Sequence, residues 1–177
     1  MTHELYPGFP TFSFVYNIIE VICISQKFSQ EVYLSPAISY FGGQVVSWSI
    51  GTRPDATLVN TMLDDAIGTL SSNDKPVIHS DRGGHYRWSG WLDRINTSGL
   101  IRSMSRKGYS SDNAACEGFF GRVKNEMFYG RNWAGITLEK FICFLDRYIR
   151  WYNEKRIKLS LGAMSPVKYR QNLGITT

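Results

Sequence analysis

The chain has 177 residues, with 20 Lys and Arg against 15 Asp and Glu, a net charge of +5, and 43% of its residues are hydrophobic. This ordinary hydrophobic share excludes a disordered or fibrous chain, and the length suffices for one domain with a buried core. No apolar run approaches the roughly 18 residues that a membrane-spanning helix needs, so we expect no membrane partner. The positive charge mildly favours a polyanionic partner.

Cysteine usage and the start of the chain indicate the compartment. The three cysteines, Cys23, Cys116 and Cys143, have neither an even count nor the spacing of a metal site, so we expect buried thiols in a reducing compartment. Met1-Thr2-His3-Glu4 lacks the positive region that opens a signal peptide. The expected location is therefore the cytoplasm.

The first thirty residues differ from the rest of the chain. Pro7-Gly8-Phe9-Pro10 is typical of a turn, and residues 12–24 are apolar and aromatic enough to form a buried strand. We therefore divide the chain into a divergent N-terminal segment, residues 1–30, which includes a degraded first strand, and one domain over residues 31–177 with a helical C-terminal tail.

A predicted hairpin opens the domain. Residues 32–39 and 44–50 are rich in β-branched and aromatic side chains and flank the turn Phe41-Gly42-Gly43. A helix begins after Pro54-Asp55 and runs to about residue 70, because its apolar residues recur at helical spacing.

Short strands then alternate with helices. We predict strands at residues 76–80 and 100–104, and helices at residues 88–97, around Glu117, and at residues 137–152. The buried side of the last helix is predicted to contain Leu138, Phe141, Ile142, Leu145, Ile149, Trp151 and Tyr152. This order of elements predicts an α/β fold, a mixed sheet flanked by helices.

Two carboxylates stand at informative places in this pattern. Asp81 follows the apolar strand and precedes Gly83-Gly84, where the backbone can bend sharply. Glu117 lies in the helix whose apolar residues include Phe120 and Val123. Each alone has a plain explanation, a turn-forming Asp and a solvent-facing Glu. Together, one acid at a strand end and one on a helix can converge on a metal ion.

The motifs around these acids carry a resemblance. His79-Ser80-Asp81-Arg82-Gly83, then Ser103-Met104-Ser105-Arg106-Lys107-Gly108, then Asp112-Asn113-Ala114 and Glu117-Gly118-Phe119-Phe120 resemble the core of insertion-sequence transposases of the DDE type, orfB class. These enzymes belong to the retroviral-integrase superfamily and have an RNase H-like fold. Thirty-five residues, 82 to 116, separate Asp81 from Glu117, which is the spacing of the family's second Asp and its Glu.

The resemblance implies a metal-dependent chemistry. Family members hold two Mg²⁺ (or Mn²⁺) ions, one activating the attacking oxygen and the other stabilising the leaving oxygen. Asp81 and Glu117 are thus the expected catalytic residues and metal ligands, and an earlier Asp would bridge both ions. That Asp is missing, because the corresponding position falls at Val21 or Ile24, and the nearest carboxylate is Glu20. We therefore expect an incomplete two-metal site and impaired catalysis, in a chain that resembles an N-terminally truncated transposase.

Basic residues indicate where DNA would lie. Lys124 follows Glu117 by two helical turns, and with Arg122 it could reach a phosphate, although an ordinary solvated helix face explains both equally well. Arg106 and Lys107, in the loop before the Glu117 helix, are further candidates. A last basic group, with DNA contact and simple solubility both open, contains Arg147, Arg150, Lys155, Arg156 and Lys158.

The resemblance predicts a transposase catalytic core that cuts and joins DNA, with element ends and target DNA as partners and self-association as an expectation. The alternative is a non-catalytic nucleic-acid-binding remnant on the same fold. A related nuclease such as an RNase H is a weaker third possibility, since the Ser-Arg-Lys-Gly and Asp-Asn-Ala motifs are transposase-like.

Overall fold

The structure is a computed structural model that describes residues 15–18, 22–23, 31–72, 74–105 and 114–175. Its strands are β1 (Val15–Ile18), β2 (Ile22–Cys23), β3 (Tyr33–Ser39), β4 (Val45–Gly51), β5 (Val77–Ser80) and β6 (Ile101–Met104). Its helices are α1 (Ala56–Gly68), α2 (Ser89–Thr97), α3 (Ala114–Arg122), α4 (Leu138–Glu154) and α5 (Pro166–Asn172). Short 3₁₀ turns cover Gly84–Arg87 and Leu159–Leu161, and a π-helical turn, Val123–Phe128, continues α3.

The described strands form one mixed sheet. β3 and β4 are an antiparallel hairpin, and β1 lies between β3, to which it is antiparallel, and β5, to which it is parallel. β5 is in turn parallel to β6, and β2 pairs with the start of β3. With helices packed against it, this sheet confirms the predicted α/β class and its element order.

Both strands that precede β3 come from the apolar stretch expected to form a strand. β1 and β2 fall within residues 12–24, and the remaining residues of that stretch lie outside the described residues. The described part of β1 is nevertheless central to the sheet, because it pairs on both sides. The division of the chain at residue 30 stays a prediction.

The hairpin turn depends on two glycines with left-handed backbones. Gly42 and Gly43 have φ of 81° and 67°, a region that other residues rarely adopt. A Cβ at Gly42 would lie 2.9 Å from Cδ1 of Tyr169 in α5, so the turn and the C-terminal helix pack closely.

The two faces of the sheet support separate cores. Side chains alternate along β3, so Leu34 and Ile38 pack with α3 and α4 on one face, whereas Ala37 packs with α1 and α2 on the other. On the second face, α1 is capped by Asp55, whose carboxylate accepts the Leu58 amide hydrogen at 3.0 Å.

The long helix α4 matches its predicted position but not every predicted contact. Phe141, Leu145, Ile149 and Tyr152 are buried as expected, whereas Trp151 is 46% exposed and was wrongly predicted to be buried. The buried stripe instead includes Tyr148, four residues before Tyr152. Because neighbouring helix residues are separated by about 100° of rotation, Trp151 cannot share the face that Tyr152 occupies.

The structure also bears on the predicted burial of the cysteines and on the search for membrane-spanning helices. Cys116 is buried, but Cys143 is exposed, so the expectation of buried cysteines is wrong for Cys143. Among the described residues, every helix is too short or too polar to cross a membrane.

Candidate metal and nucleic-acid site

Asp81 directly follows the last residue of β5. Its side chain is half-buried, and Oδ1 accepts the amide hydrogen of Gly83 at 2.8 Å. A Cβ at Gly83 would lie only 2.9 Å from that oxygen, so a side chain there would displace the carboxylate. The Asp-Arg-Gly turn therefore holds one carboxylate oxygen in a fixed position at the end of a strand.

Hydrogen bonds join the turn after β5 to the end of β6. His79 lies between two serines, with Nδ1 3.0 Å from Ser103 Oγ and Nε2 3.0 Å from Ser105 Oγ. The Ser105 amide donates to Ser80 O at 3.0 Å, and Arg82 Nε donates to Ser105 O at 3.1 Å. These bonds fix the two parallel strand ends relative to each other on either side of Asp81.

Glu117 lies in the first turn of α3. Its neighbours Cys116, Phe119 and Phe120 face the core and are at most 3% exposed, whereas Glu117 itself is exposed. Packing of the apolar side therefore presents the carboxylate to solvent. α3 also contacts β1, so the helix that carries Glu117 packs against the strand that pairs with β5, the strand before Asp81.

The third acid of a two-metal site is not found in the described residues. Within β1, Asn17 pairs with His79 and Ile18 pairs with Ser80, and the strand contains no carboxylate. Val21, Ile24 and Glu20 lie outside the described residues. In the described part of the chain, no three His, Cys, Asp or Glu side chains come together as a metal site. Asp81 and Glu117 have the hard oxygen atoms that Mg²⁺ prefers, but this donor set fits two ions incompletely.

Of the four basic residues predicted to contact DNA, two lie in the described part of the chain and two lie outside it. Arg122 is half-buried at the end of α3 and donates from Nη1 to Gly118 O at 2.6 Å. Lys124 is half-buried in the π-helical turn, where its carbonyl accepts the Tyr129 amide hydrogen. Arg106 and Lys107 lie outside the described residues.

The structure adds an ionic network that the sequence patterns did not indicate. Arg156 donates from Nη2 to Glu126 Oε1 at 2.6 Å, and the Tyr148 hydroxyl donates to Glu126 Oε2 at 2.9 Å. The bond from Arg156 lowers the pKa of Glu126, while burial and the bond to Glu126 raise the pKa of Tyr148. Glu126 is far from Tyr148 and Arg156 along the chain, so residue spacing in the sequence does not reveal these contacts.

A second group surrounds Tyr152. Lys158 Nζ donates to Gly42 O at 2.9 Å and to the Tyr152 hydroxyl at 3.3 Å, and the Tyr152 hydroxyl donates to Gly43 O at 3.1 Å. Burial, followed by the charges of Arg122 and Arg156, lowers the pKa of Lys158 to about 8. The sequence pattern assigns Lys158 only to the basic group near the end of the chain and predicts none of these contacts.

Comparison with protein families gives two matches. The integrase core domain family matches residues 18–110, and a second integrase core domain family matches residues 117–173. The first match begins at residue 18, the last residue of β1. It therefore starts inside residues 1–30, the segment that the sequence analysis separates from the domain.

Three curated relatives are similar over most of this chain. A probable transposase for insertion sequence element IS1353 of Shigella flexneri is 58% identical over 82% of this chain and 28% of its own length. The putative transposase InsK for insertion sequence element IS150 of Escherichia coli is 40% identical over 80% of this chain and 49% of its own length. An uncharacterized transposase-like protein of Haemophilus influenzae is 34% identical over 87% of this chain and 68% of its own length. The chain thus spans about a quarter to a half of the first two relatives.

Solved structures share the fold. The HTLV-2 integrase catalytic core domain in complex with magnesium, in its trimeric form, superposes with a TM-score of 0.67 at 14% identity, covering 88% of this chain and 94% of that one. A chain from the structure of the simian T-cell lymphotropic virus intasome in complex with PP2A regulatory subunit B56 gamma superposes with a TM-score of 0.72 at 13% identity, covering 88% of this chain and 53% of that one. At these identities, the likeness shows the RNase H-like fold alone.

Proposed function

Because the chain belongs to the integrase core domain family of insertion-sequence transposases, we propose that it is a DNA strand-cleavage and strand-transfer core whose catalysis is impaired. The observation that carries this proposal is the placement of Asp81 at the end of β5 and Glu117 on α3, which packs against β1. The chain covers only part of most relatives, so the activity on element ends and target DNA is proposed.

Mg²⁺ or Mn²⁺ is the metal this site would hold. When bound, such ions activate the attacking oxygen and stabilise the leaving oxygen of a phosphodiester. Asp81 would bind through the carboxylate that Gly83 orients, and Glu117 would bind from the first turn of α3. The magnesium present in the HTLV-2 integrase core supports this choice of metal. The described part of β1 contributes no carboxylate, so among the described residues Asp81 and Glu117 are the acids that would hold the metal.

DNA is the proposed partner, in keeping with the charge of +5. Arg122 and Lys124 would contact backbone phosphates beside Glu117, with Arg106 and Lys107 approaching from the loop before α3. Phosphate contacts position DNA without reading its sequence, so this affinity would depend strongly on salt. The trimeric and dimeric forms of the HTLV-2 core support self-association as a further proposal. We keep the cytoplasm, where DNA is accessible, as the expected location.

A non-catalytic nucleic-acid-binding remnant is the second candidate function. The observation that favours it is the carboxylate-free sequence Val15–Ile18 of β1. Such a protein would bind DNA with the same salt dependence but would neither cleave nor join it.

Metal binding tests the proposal directly. Calorimetry with Mg²⁺ and Mn²⁺ would compare the chain with Asp81→Asn and with Asp65→Asn, an exposed acid on α1 that serves as a matched control. We expect binding that Asp81→Asn abolishes and Asp65→Asn preserves. Binding that ignores Asp81 would contradict the proposed metal site.

Activity assays then separate the candidates. Strand-transfer assays on a supercoiled plasmid with Mn²⁺, and cleavage assays on a DNA–RNA hybrid, would use the same variants. Weak strand transfer that requires Asp81 supports the impaired transposase core, and DNA binding without any product supports the remnant. Cleavage of the hybrid alone would favour a nuclease.

A further inference from the structure

Two cationic side chains lie against the ring of Tyr152, and a third cation, Arg122, is close enough for its charge to lower the pKa of Lys158. Arg156 Cζ lies 5.9 Å and Lys158 Nζ 5.5 Å from the ring centroid. The Phe119 ring of α3 also contacts this ring, with centroids 5.1 Å apart, and Arg122 follows Phe119 by about one helical turn. The end of α3 and the segment after α4 thus bring their positive charges to one place.

The negative charge in this group is that of Glu126, and it is paired with Arg156. Glu126 binds Arg156 through both of its oxygens and also accepts the Tyr148 hydroxyl. Arg122 and Lys158, by contrast, donate to the neutral carbonyls of Gly118 and Gly42. Within the described residues, neither of these two cations lies within ion-pair distance of a carboxylate.

This imbalance has a physical cost. Arg122 and Lys158 are both half-buried, so water compensates their charges only in part. The low pKa of Lys158 reports the same situation, since burial and two neighbouring guanidinium groups all disfavour its protonated form. An anion that accepted hydrogen bonds from both groups would replace the missing counter-charge.

We propose that Arg122 and Lys158 together bind one phosphate group of a DNA backbone. This inference rests on the proposed function, because it takes DNA as the source of the phosphate. Guanidinium donates to phosphate through a planar fork, and ammonium adds a compact charge, so the pair matches the chemistry of a phosphodiester. Arg122 lies on α3, the helix that also carries Glu117, the proposed metal ligand.

For Lys158, the proposal chooses DNA contact over simple solubility, the two alternatives that its basic group left open. Lys158 lies after α4, in the segment that binds the β3–β4 turn through Gly42. The C-terminal segment therefore contributes directly to the DNA surface, in addition to buttressing the fold.

Salt dependence of DNA affinity is the first test. Fluorescence anisotropy with a labelled mixed-sequence duplex would compare the chain with Arg122→Gln, Lys158→Gln, the double variant, and Lys155→Gln, an exposed lysine of the same segment, as the matched control. Losing one phosphate contact reduces the slope of log affinity against log salt by about 0.9. We expect a reduction approaching that value in either single variant, no further reduction in the double variant, and a smaller change for Lys155→Gln.

Amine labelling of the unmodified chain is the second test, and it needs no variant to fold. Near pH 8, a lysine with a pKa of about 8 reacts with an acylating reagent ahead of exposed lysines such as Lys155. A bound phosphate stabilises the ammonium form and covers it, so we expect the duplex to slow acylation of Lys158 several-fold, as followed by peptide mass spectrometry. Inorganic phosphate serves as a second probe.

The outcomes separate the two proposals. If the chain binds the duplex while Lys158 labels at its free rate and Lys158→Gln keeps the wild-type salt slope, the phosphate site is overturned and the proposed function stands. If the duplex does not bind, the proposed function fails, and protection by inorganic phosphate alone would reassign the site to a free anion. Lys158→Arg should restore the slope, which a purely structural role of the hydrogen bond to Gly42 does not predict.

Discussion

The backbone N–H of Gly83 donates a hydrogen bond to Oδ1 of Asp81, with the nitrogen and the oxygen 2.8 Å apart. A backbone donor two residues further along the chain therefore fixes the rotation of the carboxylate, and the absence of a side chain at Gly83 leaves it room. The position of this proposed metal ligand is set by local backbone geometry.

Replacing Gly83 by alanine should weaken metal binding while leaving the fold intact. The φ of Gly83 is −52°, which alanine adopts without strain, but the new Cβ would meet Asp81 Oδ1 at 2.9 Å. Changes beside metal ligands typically cost 10–100-fold in affinity, and we expect about tenfold here, measured by Mg²⁺ and Mn²⁺ calorimetry. Gly84→Ala is the control, since a Cβ there meets nothing within 4 Å. Equal affinities of the two variants would contradict this role for Gly83.

Replacing Glu126 by glutamine should lower stability at neutral pH and remove part of the acid sensitivity. Arg156 lowers the pKa of Glu126, so the carboxylate stabilises the fold fully above the ordinary glutamate pKa of about 4.3 and loses that effect as the pH falls through the lowered value. We expect a loss of about 1–2 kcal/mol in the free energy of unfolding at pH 7. Urea titrations should show the difference from wild type shrinking below pH 4.3, whereas exposed Glu154→Gln should show little difference at either pH.

Replacing Asn153 by alanine should destabilise the fold strongly. Its side chain accepts the Val45 amide hydrogen at 2.9 Å and donates to the Val45 carbonyl at 2.7 Å, both buried. Removing it leaves two buried backbone groups unpaired, a cost of about 3 kcal/mol. Thermal or urea unfolding measures this, and exposed Asn125→Ala is the comparison, expected within about 0.5 kcal/mol of wild type. A small effect at Asn153 would mean that water readily replaces these bonds.

Lys158 should make stability rise with pH. Its pKa is about 8 in the fold, below the ordinary lysine value of about 10.4. Between these values the unfolded chain binds more protons than the folded chain, so the free energy of unfolding increases as the pH rises through that window. Lys158→Met should flatten this increase between pH 8 and pH 10, as urea titrations at each pH would reveal. Lys155→Met should keep the wild-type slope.

Much of the fold follows from local patterns. The hairpin around Gly42-Gly43, the strand before Asp81 and the helix from residue 138 are confirmed because turn glycines and apolar periodicity are local properties of the sequence. The π-helical turn after α3 was not predicted, since Val123 and Met127 fit α-helical spacing. It forms because tertiary contacts bury both Met127 and Phe128, and the Trp133 indole donates to the Phe128 carbonyl at 3.0 Å.

The candidate site is predictable to a similar extent. A strand that runs into Asp81 and two glycines indicates a strand-end carboxylate, and the structure has Asp81 at that place. The charges around Tyr152 could not be foreseen, because Arg122 and Lys158 come from elements that meet only in the folded chain. The functional roles of Asp81, Glu117, Arg122, Lys124, Arg106 and Lys107 stay predictions.

The central position of β1 affects how the chain folds during synthesis. Among the described strands, β1 is made before β3 and can pair with it soon afterwards, but its other edge stays open until β5, far along the chain, has been made. Parallel pairing between such distant segments is slow, and an open strand edge in the meantime invites pairing with other chains. Production of this protein should therefore be sensitive to translation rate and to chaperones that shield nascent strands.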